Sequence, residues 1–204
     1  LTLKAIAGLL PGQSRVSGDL RADLDGNGLV GYRPSEVRGH GISFVFQEPM
    51  TALNPTARIG EQIALASRVR DRVGRRAAQA AALELMDDVG IPDPARRARM
   101  WPHELSGGLR QRAMIAIALS SNPKVLLCDE PTTALDVSIQ DQILALLLRL
   151  RDQRGLSIMF VTHDLAVLRS LCDRVAVMYA GRLVEIGSTN TIFDTPRHPY
   201  TAAL

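Results

Sequence analysis

The sequence predicts an α/β fold in which helices flank a mainly parallel core sheet. Three observations carry that expectation. Val125 to Cys128 and Ser157 to Val161 are short apolar runs bounded by polar or chain-breaking residues, the pattern of strands in a buried parallel sheet. Ser138 to Arg154 lies between them and reads as a long amphipathic helix stopped by Gly155. Strand and helix then keep alternating to the end of the chain, which favours layers of helix on sheet. The 204 residues are 46% hydrophobic and 22% charged, enough apolar side chain for a sizeable core. That balance excludes a disordered tail, a collagen-like repeat and a disulfide-stapled miniprotein. The length reads as one domain over 1–204.

Taken in chain order, Leu1 to Leu10 has helical apolar spacing closed by Pro11-Gly12, and Val16 to Leu20 reads as a short strand. Asp25-Gly26-Asn27-Gly28 is a turn signal. Ile42 to Phe46 is β-branched and aromatic, hence a strand, and Gln47 to Pro55 reads as a loop. Ile59 to Val69, Arg75 to Val89 and Gly108 to Ser121 read as helices, forming a helical subdomain over about 59–121. Gly90 ends the second of these, and Ser106-Gly107 lead into the third. Asp164 is placed to cap a helix over Leu165 to Leu171. Arg174 to Tyr179 and Arg182 to Ile186 flank Ala180-Gly181, a small antiparallel portion.

Charge and cysteine usage narrow the function. The net charge is +3, and Lys4 and Lys124 are the only lysines among 24 basic residues. So strong a bias toward arginine reflects coding composition, and nucleic-acid binding is not inferred from it. Arg68, Arg70, Arg72, Arg75 and Arg76 form a basic cluster that reads as solvated surface. Cys128 and Cys172 sit in no CxxC, so neither zinc nor a redox pair is indicated, and reduced thiols fit a cytosolic setting. No apolar run approaches the roughly 18 residues that span a bilayer. Leu1 to Leu10 has neither the basic segment nor the cleavage pattern of a signal peptide. The opening Leu1 and the helix-like start at residues 198–204 read as the ends of a piece of a longer protein.

Three polar features fall at the carboxyl ends of predicted strands: Gln47, Asp129-Glu130 and His163. That edge is where open α/β sheets bind ligands. Each alone is weak, since an acidic pair is more often a cap and a lone histidine more often structural. Their order, together with Leu105-Ser106-Gly107-Gly108-Leu109-Arg110-Gln111-Arg112, carries more.

That last string closely resembles the signature motif of ATP-binding-cassette (ABC) ATPases. Val125-Leu126-Leu127-Cys128-Asp129-Glu130-Pro131 is similar to their Walker B strand, and Ala134-Leu135-Asp136 to their D-loop. Gln47 matches the Q-loop residue and His163 the switch histidine. Phe46-Gln47-Glu48-Pro49-Met50-Thr51-Ala52-Leu53-Asn54-Pro55, Leu135-Asp136-Val137-Ser138-Ile139-Gln140 and His198-Pro199-Tyr200-Thr201 resemble the ATPase subunits of dipeptide and oligopeptide importers, a group that includes nickel importers.

The resemblance implies a P-loop NTPase-type cassette that uses ATP and Mg²⁺. Asp129, with Gln47, would hold the metal, since a hard cation takes oxygen ligands. Glu130 would be the general base and His163 would contact the γ-phosphate. Ser106, Gly107 and Gly108 would offer backbone N–H groups at a helix start to a nucleotide held by a second cassette, with Gln111 nearby and Asp136 at the seam. The implied partners are that second cassette, membrane-embedded permease subunits and, indirectly, a solute-binding protein. The implied place is the cytoplasmic face of the cell membrane. No GxxxxGK[ST] occurs in the chain. Leu1-Thr2-Leu3 resembles the residues directly after that motif's Lys-Ser/Thr, so the chain is expected to start just past the phosphate loop. Two alternatives stand beside this reading. One is a non-catalytic cassette that completes a site in trans. The other is a non-transport ABC ATPase, disfavoured because Gln47 and Ser106 are only 59 positions apart with no heptads between them. Leu109 and Cys128 depart mildly from the group's pattern, and Cys128 reads as packing.

Overall fold

The computed structural model describes residues 1–24, 30–39, 41–133 and 135–204. The expected turn at Asp25-Gly26-Asn27-Gly28, Ala134 and the side chains of Arg70 and Asp71 lie outside that description. The chain divides into two compact units, Leu1–Met159 and Phe160–Leu204.

The first unit opens with α1 (Thr2–Ile6). This helix is shorter than the apolar spacing suggests because Gly8 turns left-handed at φ +65° and closes it. The run expected as a strand at Val16 to Leu20 is not one. Gly18 at φ +116° interrupts it, and pairing starts later, between β1 (Arg21–Ala22) and β2 (Val30–Gly31). After α2 (Pro34–Val37) comes β3 (Ile42–Val45). The segment expected as loop contains a single turn of helix, α3 (Pro49–Ala52), which Pro49 starts with its preset φ.

The helical part comprises α4 (Ile59–Asp71), α5 (Arg75–Asp88), α6 (Pro94–Arg97), a 3₁₀ turn at Pro102–Glu104 and α7 (Gly107–Leu119). Gly90, at φ +73°, reverses the chain after α5. β4 (Val125–Asp129) is next, then α8 (Val137–Arg154), which ends on left-handed Gly155, and β5 (Ser157–Val161). The core sheet has the parallel order β3-β4-β5. β4, in the middle, buries Leu126, Leu127 and Cys128. β5 does not read as the buried strand expected: Met159 is 41% exposed, as befits the edge of this sheet. α1 covers one face, with Leu3 and Ala7 packed on Ile42 and Leu127. Burying side chains such as Leu126 contributes about 1.5–3 kcal/mol each.

The second unit holds α9 (Leu165–Leu171), capped by Asp164 as expected, β6 (Arg174–Tyr179), β7 (Arg182–Ser188), α10 (Thr189–Asp194) and α11 (Pro199–Ala203). β6 and β7 are an antiparallel hairpin. Ala180 and Gly181 both have positive φ, the two-residue turn that matches strand twist. The packing centre is Leu168, Val175, Val177 and Ile192. Glu185 accepts the backbone N–H groups of Arg197 and His198, so β7 anchors the approach to α11.

Candidate functional site

Register builds the first part of the site. β3 and β4 run parallel with Val45 opposite Cys128. Two residues further along each chain come Gln47 and Glu130, so both leave the sheet at one edge. Gln47 Nε2 donates to Glu130 Oε2 at 3.1 Å. A carboxylate only accepts, so the amide must present its NH₂ and keeps Oε1 as its acceptor. Thr133 Oγ1 donates to the same Oε2 at 2.8 Å. Two donors from different segments thus orient one carboxylate.

Glu130 holds this place in the left-handed region, at φ +46°. A non-glycine residue there costs about 1–3 kcal/mol, and such strain gathers at functional sites. Asp129, the last residue of β4, is half-buried beside it. Immediately before it, Cys128 is wholly buried, and burial pushes its thiol well above the ordinary range. It therefore packs as a small hydrophobe.

Oxygen donors from Asp129 and Gln47 suit Mg²⁺, which keeps several waters and takes only one or two protein ligands beside phosphate oxygens. Among the described residues no three His, Cys, Asp or Glu side chains group into a metal cage. The donor set fits a metal that arrives with a phosphate ligand.

The second part of the site is made of backbone. Ser106 is the exposed N-cap residue of α7, with Arg110 N–H bonding its carbonyl at 2.9 Å. Gly107 is exposed and Gly108 half-buried. The first N–H groups of this 13-residue helix have no intrahelical acceptors and Ser106 makes no side-chain cap to them, a favourable place for an anion. Arg110 fastens the approach by donating to the carbonyls of Pro102 and His103. Gln111 is only 1% exposed, on the inward side of α7, so its side chain does not line this edge. Asp136, exposed at the start of α8, accepts Ile139 N–H at 3.0 Å and caps that helix.

The contacts thus bring Gln47, Glu130 and Asp129 together at one edge. They set Ser106, Gly107 and Gly108 beside the stretch that carries Asp136, since a Cβ on Gly107 would lie 3.7 Å from Leu135. His163 belongs to the second unit, exposed two residues after β5, where Thr162 Oγ1 accepts Asp164 N–H. Sequence reasoning missed Thr133. The available signal was a hydroxyl three residues after Glu130, in reach once the chain turns at Pro131.

Comparison with known proteins points the same way. The family model described as "ABC transporter" matches residues 1–133. A putative peptide import ATP-binding protein of Brucella melitensis is 56% identical over 168 residues, 82% of this chain and 50% of that one. The oligopeptide transport ATP-binding protein OppD of Bacillus subtilis is 51% identical over 184 residues, 89% of this chain and 51% of that one. The OppD of Mycobacterium tuberculosis is 50% identical over 204 residues, 98% of this chain and 33% of that one. The chain therefore spans half to a third of these relatives' length. Among solved structures, the ATP-binding cassette MJ0796, a post-hydrolysis dimer with ADP and Pi, superposes with TM-score 0.76 at 28% identity, covering 92% of this chain and 79% of that one.

Proposed function

We infer the function from one premise: the chain belongs to the ABC transporter family. It is part of the ATP-binding subunit of an importer, which couples ATP hydrolysis to uptake of dipeptides or oligopeptides. The observation that carries the chemistry is the Glu130 carboxylate held by Gln47 and Thr133 at the sheet edge. The peptide assignment is supported by the names of the Brucella, Bacillus and Mycobacterium relatives.

Hydrolysis is in-line attack of water on the γ-phosphate, where catalysis is mostly positioning and charge stabilisation. Glu130 takes the proton of the attacking water, its orientation fixed by Gln47 and Thr133. Asp129 and the Oε1 of Gln47 are the oxygen donors that would hold a nucleotide-borne Mg²⁺, which would supply charge neutralisation of the phosphates. The family resemblance gives His163, in the second unit, the part of the switch histidine. Ser106, Gly107 and Gly108 direct their N–H groups at the nucleotide of a second cassette, with Asp136 at the seam between the two. Permease subunits in the membrane receive the resulting motion, and a solute-binding protein delivers the peptide. The importer names of the relatives support a place on the cytoplasmic face of the membrane. Among the described residues no helix is long and apolar enough to cross a membrane.

The test is Glu130→Gln in the full-length subunit. ATP binding is retained and turnover falls about 10²–10⁴-fold, the usual contribution of a general base. Turnover at the unsubstituted rate would place the base elsewhere. Uptake of labelled dipeptide by cells carrying the complete transporter tests the substrate class, and an unchanged uptake on deleting the gene would contradict it.

A further inference from the structure

The two glycines of the signature stand in different surroundings. A Cβ on Gly107 would meet Leu135 at an ordinary 3.7 Å, whereas one on Gly108 would lie 2.8 Å from Ile139 Cγ2. The second distance is shorter than any real Cβ contact, and Ile139 is β-branched in the first turn of a helix, where its rotamer is fixed. The obstacle at Gly108 is therefore a neighbouring helix.

One turn further along α7, Arg112 closes the same joint. Its Nη1 donates to Val89 O at 2.6 Å and its Nη2 to Gln142 Oε1 at 3.2 Å. The Arg112 guanidinium thus binds the carboxyl end of α5 on one side and α8 on the other. Burial, and then the nearby Arg149, lower its pKa, as expected for a cation drawn into a joint. Arg149 and Arg154 of α8 bind the same end of α5, through Asp88 O at 2.6 Å and through the Asp88 carboxylate. The last carbonyls of a helix, with their negative dipole, suit Arg112 and Arg149, and the Asp88 carboxylate takes Arg154. Even Gly90 serves the joint: beyond its φ of +73°, a Cβ there would lie 2.9 Å from Arg112 Nη1.

We propose that Gly108 is a packing glycine, and that Ile139 and Arg112 are positioning residues which lock α7 to α8 so that Ser106 and Asp136 are presented as one rigid edge. This rests on the proposed ATPase function and adds to it the physical reason for the second glycine. Phosphate approach makes Gly107 small; the seating of α7 on Ile139 makes Gly108 small.

A double-substitution cycle in the full-length subunit tests this. Gly108→Ala is expected to lower ATP turnover per folded molecule by up to about 10²-fold, as a misplacement near 1 Å can. It also lowers Tm by about 3–9 °C through overpacking. Ile139→Ala opens the space the new methyl needs. The double variant should therefore recover to within about 3-fold of Ile139→Ala alone, and its Tm should lie above that of Gly108→Ala. Arg112→Lys, which keeps charge but loses the two-sided fork, should lower turnover with little change in the affinity of the single subunit for ATP. A double variant as slow as Gly108→Ala, or Tm losses that simply add, would overturn the joint. If the unsubstituted subunit hydrolyses no ATP, the function is wrong, and the Tm cycle still decides the packing.

Discussion

The two edges of the candidate site are built by opposite means. At the strand ends, side chains do the work: Gln47 and Thr133 converge on Glu130, and a strained backbone carries the carboxylate into place. At the start of α7, the useful groups are backbone N–H groups, and the side chains around them matter by staying out of the way. The first edge is expected to fail on changes of chemistry, the second on changes of size.

That contrast can be broken at several points. The largest effect is the loss of turnover expected of Glu130→Gln. Next, Gln47→Ala removes one of the two donors that orient Glu130 and also the amide oxygen proposed for Mg²⁺, so turnover should fall about 10-fold and the Mg²⁺ concentration for half-maximal turnover should rise. Steady-state kinetics with unchanged kcat would show that Thr133 alone suffices. Asp136→Ala should cost about 1 kcal/mol of stability, the value of a helix cap, read as a lowered urea midpoint. Asp136→Asn keeps a capping oxygen and should restore that stability; a loss of turnover that persists in Asp136→Asn would assign the carboxylate a second task at the seam.

The smallest effect is at Cys128. Its folded-state pKa is raised, so the folded chain holds the thiol proton more tightly than the unfolded one. The contribution is therefore complete below the unfolded value of about 8.5 and is lost as pH rises above it. Urea midpoints of Cys128→Ala, compared with the unsubstituted chain from about pH 8 to 10, should show a shallower alkaline decline. Identical slopes would mean that the thiol does not titrate on unfolding.

Much of the first edge was legible in the sequence. Buried strands write themselves as uninterrupted apolar runs, so β3 and β4 and the polar residues at their ends could be placed. What could not be read was register. Only the opposition of Val45 to Cys128 shows that Gln47 and Glu130 meet, and only the turn at Pro131 brings Thr133 to them. The strand expected at Val16 to Leu20 failed because extended propensity does not supply a pairing partner. The one-turn helix at Pro49–Ala52 was hidden because Pro reads as a breaker although it also starts helices.

At the second edge the motif was plain but its internal differences were not. Gly107 and Gly108 are identical letters, and the close approach of Ile139 to only one of them is a fact of helix packing. Gln111 belongs to the same string, yet helical periodicity turns it inward, where it is buried. A motif names residues together; the helix it lies on separates their tasks.

The central claim is that the strand-end edge performs hydrolysis while the α7 edge completes the nucleotide site of a second cassette. The most direct test compares Glu130→Gln with Ser106→Arg in the full-length subunit, measuring ATP binding, ATP-driven association and turnover. Glu130→Gln should bind ATP, associate and not turn over. Ser106→Arg should bind ATP as a single subunit, yet neither associate nor turn over. Loss of ATP binding by the single Ser106→Arg subunit, with association intact in what remains bound, would contradict the division of labour between the two edges.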